Sequence, residues 1–148
     1  MKTKITLLTI CLLFISSFSF AQKKDKAKSI INNKVNIKKY HTHAELDNMQ
    51  KGELIKLYME RIQVLSGTIP YIAFATKPGI TMSTLGIPNS SENRKSLENQ
   101  TENTDDYLEN TLDFQKKLLP YSDTKKIAKA IFFYEEIMKS LHAYDEFN

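Results

Sequence analysis

The sequence predicts an all-α protein, an antiparallel up-and-down bundle of three long helices, or of four if the first breaks at Gly67–Pro70. Three observations predict this class. Apolar residues recur at spacings of three and four in the segments 46–65 and 127–144. Most of the glycines and prolines collect in one connection, and no two segments alternate apolar and polar residues as paired strands would.

Residues 1–21 have the three parts of a secretory signal peptide. Lys2 and Lys4 precede an apolar stretch, 5–20, and small residues stand at the −3 and −1 positions of a cut after Ala21. The stretch is shorter than the roughly 20 residues that a membrane span needs, although an uncleaved anchor helix is the alternative. We therefore expect a periplasmic or secreted protein with no transmembrane span once the leader is removed.

Removal of the predicted leader changes the cysteine content and the net charge of the chain. Cys11, the only cysteine, lies in the leader, so the mature chain is expected to lack thiols and disulfides. The formal charge of +4 divides into +2 on the leader, +6 on residues 22–40 and −4 on residues 41–148. Because residues 22–40 are rich in lysine and poor in apolar side chains, we expect a flexible arm there, either a solvated tether or an arm for anionic partners. The helical domain is expected to span 41–148.

The first predicted helix has a clear start but an ambiguous end. Thr42 and Glu45 match a capping box, in which each side chain bonds the other residue's backbone amide. An apolar stripe follows at helical spacing, formed by Leu46, Met49, Leu54, Leu57, Tyr58, Ile62 and Leu65. It stays in register across Gly67 and Pro70, although proline interrupts helical hydrogen bonding. The helix is expected either to kink or break and continue to about Ala75, which the register favours, or to stop at Ser66.

The second predicted helix begins after Pro88, with Asn89, Ser90 or Ser91 as cap, and runs to about Leu118. Its first half has few sizeable apolar residues, so it is either marginally stable or functional. A turn at 121–123 leads into a third amphipathic helix capped by Ser122 or Asp123. Such a short connection predicts an antiparallel hairpin.

The most unusual stretch is 67–91, which holds three glycines, three prolines and a single charge, Lys77. An apolar connection of this kind must lie against something. It is expected either to close one end of the bundle and cover the polar half of the second helix, or to dock a protein, peptide or lipid. The candidate docking residues are Tyr71, Phe74, Lys77, Ile80, Met82, Leu85 and Ile87.

Two charged groups follow on the second and third helices. Acidic residues step by three and four along one face, which is either a solvated face or an electrostatic surface for a basic partner: Glu98, Glu102, Asp105, Glu109 and Asp113. We add the first four to the candidate interaction surface. Five lysines gather around Pro120, where those that begin the third helix oppose its dipole: Lys116, Lys117, Lys125, Lys126 and Lys129. Because these lysines include no arginine or interleaved aromatic platform, no nucleic-acid partner is expected.

No motif for catalysis or cofactor binding is present. The sequence has no phosphate-binding glycine loop, calcium loop or Glu-x-x-His pair, and His41 with His43 supplies too few ligands for a closed metal site. We expect no catalytic residue, cofactor or metal. The expected function is a non-enzymatic exported protein that binds an unknown protein partner in the cell envelope, such as a complex subunit or a small inhibitor. The alternative is a small-molecule or lipid carrier with residues 67–91 as its lid, and self-association stays open.

Overall fold

The computed structural model describes residues 27–32 and 36–145, apart from the side chains of 142, 144 and 145. This part of the chain is all-α, which confirms the predicted class. Its four helices are α1 (His43–Asp47), α2 (Lys51–Thr68), α3 (Ser91–Leu118) and α4 (Thr124–Asp145). The predicted leader, its cut and Cys11 lie outside the described residues.

The long helix α4 holds the core together. It packs along α2 and against α1, whereas α3 contacts α2. A 3₁₀ turn, Leu119–Tyr121, joins α3 to α4. The central apolar cluster contains Leu46 of α1, Leu54 of α2, Leu119 of this turn, and Ile127, Ala128 and Ile131 of α4. The antiparallel up-and-down order of the helices stays a prediction.

The first predicted helix is broken at a place that the sequence analysis missed. The capping box of Thr42 and Glu45 is present, but α1 ends at Asp47. A second capping box, of Gln50 and Glu53, then begins α2. Because each box satisfies the free amides at a helix start, the chain bends at 48–50 without losing many hydrogen bonds.

The other helix ends follow the predictions more closely. Helix α2 ends at Thr68 and a 3₁₀ turn, Ile69–Tyr71, follows with proline in its first turn, so the first helix continues in broken form but ends before the predicted Ala75. The Ser90 hydroxyl accepts from the Asn93 amide at 3.1 Å, and α3 ends at Leu118 as predicted. At the start of α4, the Asp123 carboxylate accepts from the Lys126 amide at 3.0 Å.

Three apolar residues of the predicted arm, Ile30, Ile31 and Ile37, pack against other parts of the chain and are not solvated, whereas the flexibility of the arm stays a prediction. Ile31 is 0% exposed and Ile30 is 6% exposed. The Ile30 amide donates to the Ile80 carbonyl at 2.8 Å, and Ile37 packs against a cluster between α2 and α4. Ile30, Ile31 and Ile37 find partners that local composition does not reveal, while the described lysines of the arm, Lys28, Lys38 and Lys39, are exposed.

Candidate binding cleft

A cleft of about 540 Å³ lies between residues 28–32 and 36–38 of the arm, α2 and α3. This volume is in the range of ligand pockets, roughly 300–1,000 Å³. Its apolar lining consists of Ile30, Val64, Gly67, Tyr71 and Leu108. Amide and hydroxyl side chains line it too, from Ser29, Asn32, Asn36, Gln63, Thr101 and Thr104. Its charged residues are Lys28, Lys38, Glu60 and Asp105.

Small polar residues of α3 line one wall of this cleft. Thr101, Thr104 and Leu108 are spaced by three and four residues, so they share the face of α3 that borders the cleft. The Thr101 hydroxyl donates to the Leu97 carbonyl and the Thr104 hydroxyl to the Gln100 carbonyl, both at 2.8 Å. Because both hydroxyl groups donate their protons within the helix, their oxygens are available to a ligand as acceptors.

The arm forms the third wall of the cleft. Its first end is fixed by apolar packing and by hydrogen bonds to residues 79 and 80. Ile30 and Ile31 belong to a buried cluster with Tyr71, Ala75 and Met82. The Ser29 hydroxyl donates to the Ile80 carbonyl at 3.2 Å and accepts from the Gly79 amide at 2.9 Å. Gly79 has φ +102°, a conformation that side chains rarely adopt, so glycine permits the turn that presents this amide.

The second end of the arm is fixed by buried charges. Arg61 of α2 and Glu135 of α4 are 1% and 0% exposed, and Nε and Nη2 of Arg61 donate to Oε1 of Glu135 at 2.9 and 2.7 Å. His41 adds two contacts to the same carboxylate, from its amide to Oε2 and from its ring Nδ1 to Oε1 at 2.9 Å. Arg61 also donates to the Lys39 carbonyl at 2.7 Å. We call Arg61, Glu135 and His41 the charged anchor.

The charged anchor keeps Glu135 ionised although the residue is buried. Burial raises the pKa of Glu135, but the hydrogen bonds from His41 and Arg61, together with the Arg61 charge, outweigh it and hold that pKa below its ordinary value. None of the three residues lines the cleft. The anchor therefore positions residues 39–41 rather than contacting a ligand.

A second, shallower groove extends the cleft along the helices. It has a volume of about 440 Å³ and shares Glu60 and Gln63 of α2 with the first cleft. Its α3 side is formed by Leu112, Asp113 and Lys116. The boundary between α2 and α3 thus offers an elongated surface.

The residues of the predicted interaction surface fall into two groups in the structure, one packed in the fold and one exposed. Tyr71 and Met82 are buried, and Ile80 and Ile87 pack on the same cluster, so these four support the fold. Phe74 is 52% exposed, Leu85 is 40% exposed, and Lys77 is exposed. The four predicted acidic residues are exposed on α3, with Glu98 lying 3.7 Å from Lys28. Of the eleven predicted residues, the cleft brings together only Tyr71 and Asp105.

Neither the polar lining of the cleft nor the charged anchor was predicted from the sequence. Thr101 and Thr104 follow helical spacing beside the acidic row, so their shared face was a usable signal. Arg61 and Glu135 are charged residues of amphipathic helices. Their positions in the sequence resemble ordinary solvated positions and do not indicate burial. The histidine pair has structural roles, since His41 joins the anchor and His43 stacks on Phe132 with ring centroids 3.6 Å apart.

Three comparisons gave no relative from which to transfer a function. No protein-family model, curated protein or solved structure matches this chain. Among the described residues, no group of three histidine, cysteine or acidic side chains is placed to hold a metal ion. None of the helices in that part of the chain combines the length and apolar character of a membrane span.

Proposed function

We propose that this chain is an exported, non-enzymatic binding protein that holds an extended segment of a partner polypeptide in the cleft between the arm, α2 and α3. One observation carries the proposal: amide and hydroxyl side chains line the cleft beside apolar residues, and the groove continues along α2 and α3. Export rests on the predicted leader, residues 1–21.

The chemistry of the lining matches a peptide backbone. A peptide group presents one donor and one acceptor, and the side-chain amides of Asn32, Asn36 and Gln63 supply both. The oxygens of Thr101 and Thr104 add acceptors. The apolar lining accommodates a ligand side chain, and the acidic row on α3 favours a partner with a basic residue beside the cleft.

The alternative function, a lipid carrier with residues 67–91 as its lid, has less support. Of residues 67–91, only Gly67 and Tyr71 line the cleft. The other apolar residues of this connection pack on Ile30 and Ile31 or are exposed, so they do not form a lid over the cleft.

The decisive experiment compares two neighbouring residues of α3. A displayed library of random peptides is selected on the exported protein, and the enriched peptides are titrated against wild type and two variants. Thr104→Trp fills the cleft and is expected to weaken binding at least about 10-fold, since it removes space and an acceptor. Asn103→Trp adds the same side chain at an exposed position outside the lining and is expected to change affinity less than about twofold.

Two results would refute the proposal. One is a library with no enriched peptide, or enriched peptides that bind both variants equally. The other is a rise in melting temperature with fatty acids or sterols but not with peptides, which would favour the carrier. Far-ultraviolet circular dichroism of both variants checks that the helices are intact.

A further inference from the structure

The turn between α3 and α4 carries an excess of positive charge. Residues 114–129, which we call the Pro120 tip, contain five lysines and one acidic residue, Asp123. All five lysines are exposed, and none has a carboxylate partner in the described part of the chain. The Asp123 carboxylate accepts from the Lys126 amide as the cap of α4.

Only part of this charge is unfavourable for the isolated fold, because Lys116 and Lys117 lie in the last turn of α3, where the helix dipole favours a cation. Lys125 and Lys126 occupy the first turn of α4, at the positive end of the helix dipole, and the Asp123 cap is the one acidic residue beside them. Lysines close together in sequence also repel one another. Because Lys125 and Lys126 oppose the dipole of α4, and none of the five lysines has a carboxylate partner within the described chain, the cluster favours an anionic partner outside it.

Exposed apolar side chains lie among these lysines, and two of them are aromatic, which corrects the expectation that no aromatic residue is interleaved with the lysines. Tyr121 is 88% exposed, Phe114 is 57% exposed and Leu118 is 48% exposed. Phe114 and Leu118 are four residues apart and so share one face of α3, and Tyr121 follows in the 3₁₀ turn. Lysines around apolar and aromatic side chains match the surface of an anionic bilayer, where ammonium groups meet phosphates and aromatic rings lie at headgroup level.

We propose that the Pro120 tip docks on the surface of an anionic lipid bilayer. Charge on the rest of α3 supports one orientation, since residues 98–113 contain six acidic residues and no basic one. A negative surface attracts the tip and repels that acidic half, which borders the cleft. Docking would therefore leave the cleft facing away from the membrane.

The first test measures binding to vesicles. The full chain, produced with its own leader and purified after export, is mixed with phosphatidylcholine vesicles that contain either no anionic lipid or about 30% phosphatidylglycerol. We expect binding to the anionic vesicles alone, with strong weakening in about 0.5 M salt. Lys117→Gln with Lys125→Gln is expected to lower the partition coefficient about 25-fold, at about fivefold per lysine.

A matched variant separates the tip from net charge. Lys77→Gln with Lys95→Gln removes the same charge from exposed positions outside the tip and is expected to lower the partition coefficient less than about threefold. Equal losses in the two double variants would overturn the proposal. Equal binding of the wild type to neutral and anionic vesicles would also overturn it.

The second test reports on the apolar side chains. The chain has no tryptophan, so Tyr121→Trp introduces a single fluorophore at an exposed position. Its emission is expected to shift to shorter wavelength with anionic vesicles, whereas the emission of Tyr107→Trp, 60% exposed on the acidic half, should stay unchanged. An unshifted Tyr121→Trp emission would overturn the proposal. Displacement of vesicles by soluble polyglutamate at comparable affinity would do so too, and would favour an acidic protein as the partner.

Discussion

The arm is attached to the helices at two places by different forces. At Ile30 and Ile31 it is held by apolar burial against the connection 69–88 and α3. At residues 39–41 it is held by hydrogen bonds to the buried Arg61 and Glu135. The stretch between these attachments contributes to one wall of the cleft, so the shape of the cleft depends on both.

We expect disruption of the two attachments to lower the free energy of unfolding by different amounts. Apolar burial is non-directional, and its loss scales with the buried surface and the cavity left behind. A buried ion pair gives little net stability when complete, because desolvation offsets the attraction, but its rupture leaves one charge buried without a partner. Charge removal at the second attachment should therefore have the larger effect.

We expect Glu135→Gln to lower the free energy of unfolding by about 3–5 kcal/mol. The substitution keeps the shape of the side chain but removes the buried counter-charge of Arg61, which in the described part of the chain keeps only the half-exposed Glu60 at 3.0 Å from Nη1. Urea denaturation at pH 7 measures the loss. Glu136→Gln is the matched control, because this exposed neighbour has Lys139 as its one charged partner among the described residues and should change stability by less than about 0.5 kcal/mol. Similar losses in the two variants would show that the charged anchor has no special role.

We expect Ile31→Ala to lower the free energy of unfolding by about 3 kcal/mol, since Ile31 is 0% exposed. Hydrogen exchange should show faster exchange of the Ile30 amide, which donates to the Ile80 carbonyl. Ile72→Ala, at a 40% exposed position, is the control and should cost less than about 1 kcal/mol. An Ile31→Ala loss as small as that of the control would mean that the arm leaves the apolar cluster readily in solution.

Features coded by neighbouring residues could be predicted from the sequence. The cap at Thr42, the start of α3 near Ser90 and its end at Leu118 depend on local hydrogen-bonding groups and on prolines. The exposed acidic face of α3 likewise follows from its spacing.

Features that depend on distant partners could not be predicted in this way. Residues 22–40 have the composition of a solvated tether, and the burial of Ile31 depends on Tyr71 and Met82, at least 40 positions away in the sequence. Arg61 and Glu135 are 74 residues apart, and their burial becomes favourable only when α2 packs on α4. The cleft is likewise a property of three segments together.

The smallest expected effect concerns an exposed extension of the charged anchor. Lys39, whose carbonyl accepts from Arg61, donates through Nζ to Glu45 of α1 at 2.8 Å. The hydrogen bond from Lys39, with those from Thr42, lowers the pKa of Glu45 from 4.5 to about 2. Because the folded state has the lower pKa, this stabilisation is present above about pH 4.5 and is lost as the pH falls towards 2.

Glu45→Gln tests this contribution, since glutamine keeps the capping box but removes the charge. Its urea midpoint should lie slightly below that of wild type at pH 7, and the two should converge between pH 4.5 and 2. About 0.5 M salt should also reduce the difference, because the pair is exposed, whereas the loss in Glu135→Gln should persist because that pair is buried. A salt-insensitive Glu45→Gln loss that persists at pH 2 would show that Glu45 stabilises α1 without its charge. The electrostatic part of the arm's attachment would then lie entirely in the buried anchor.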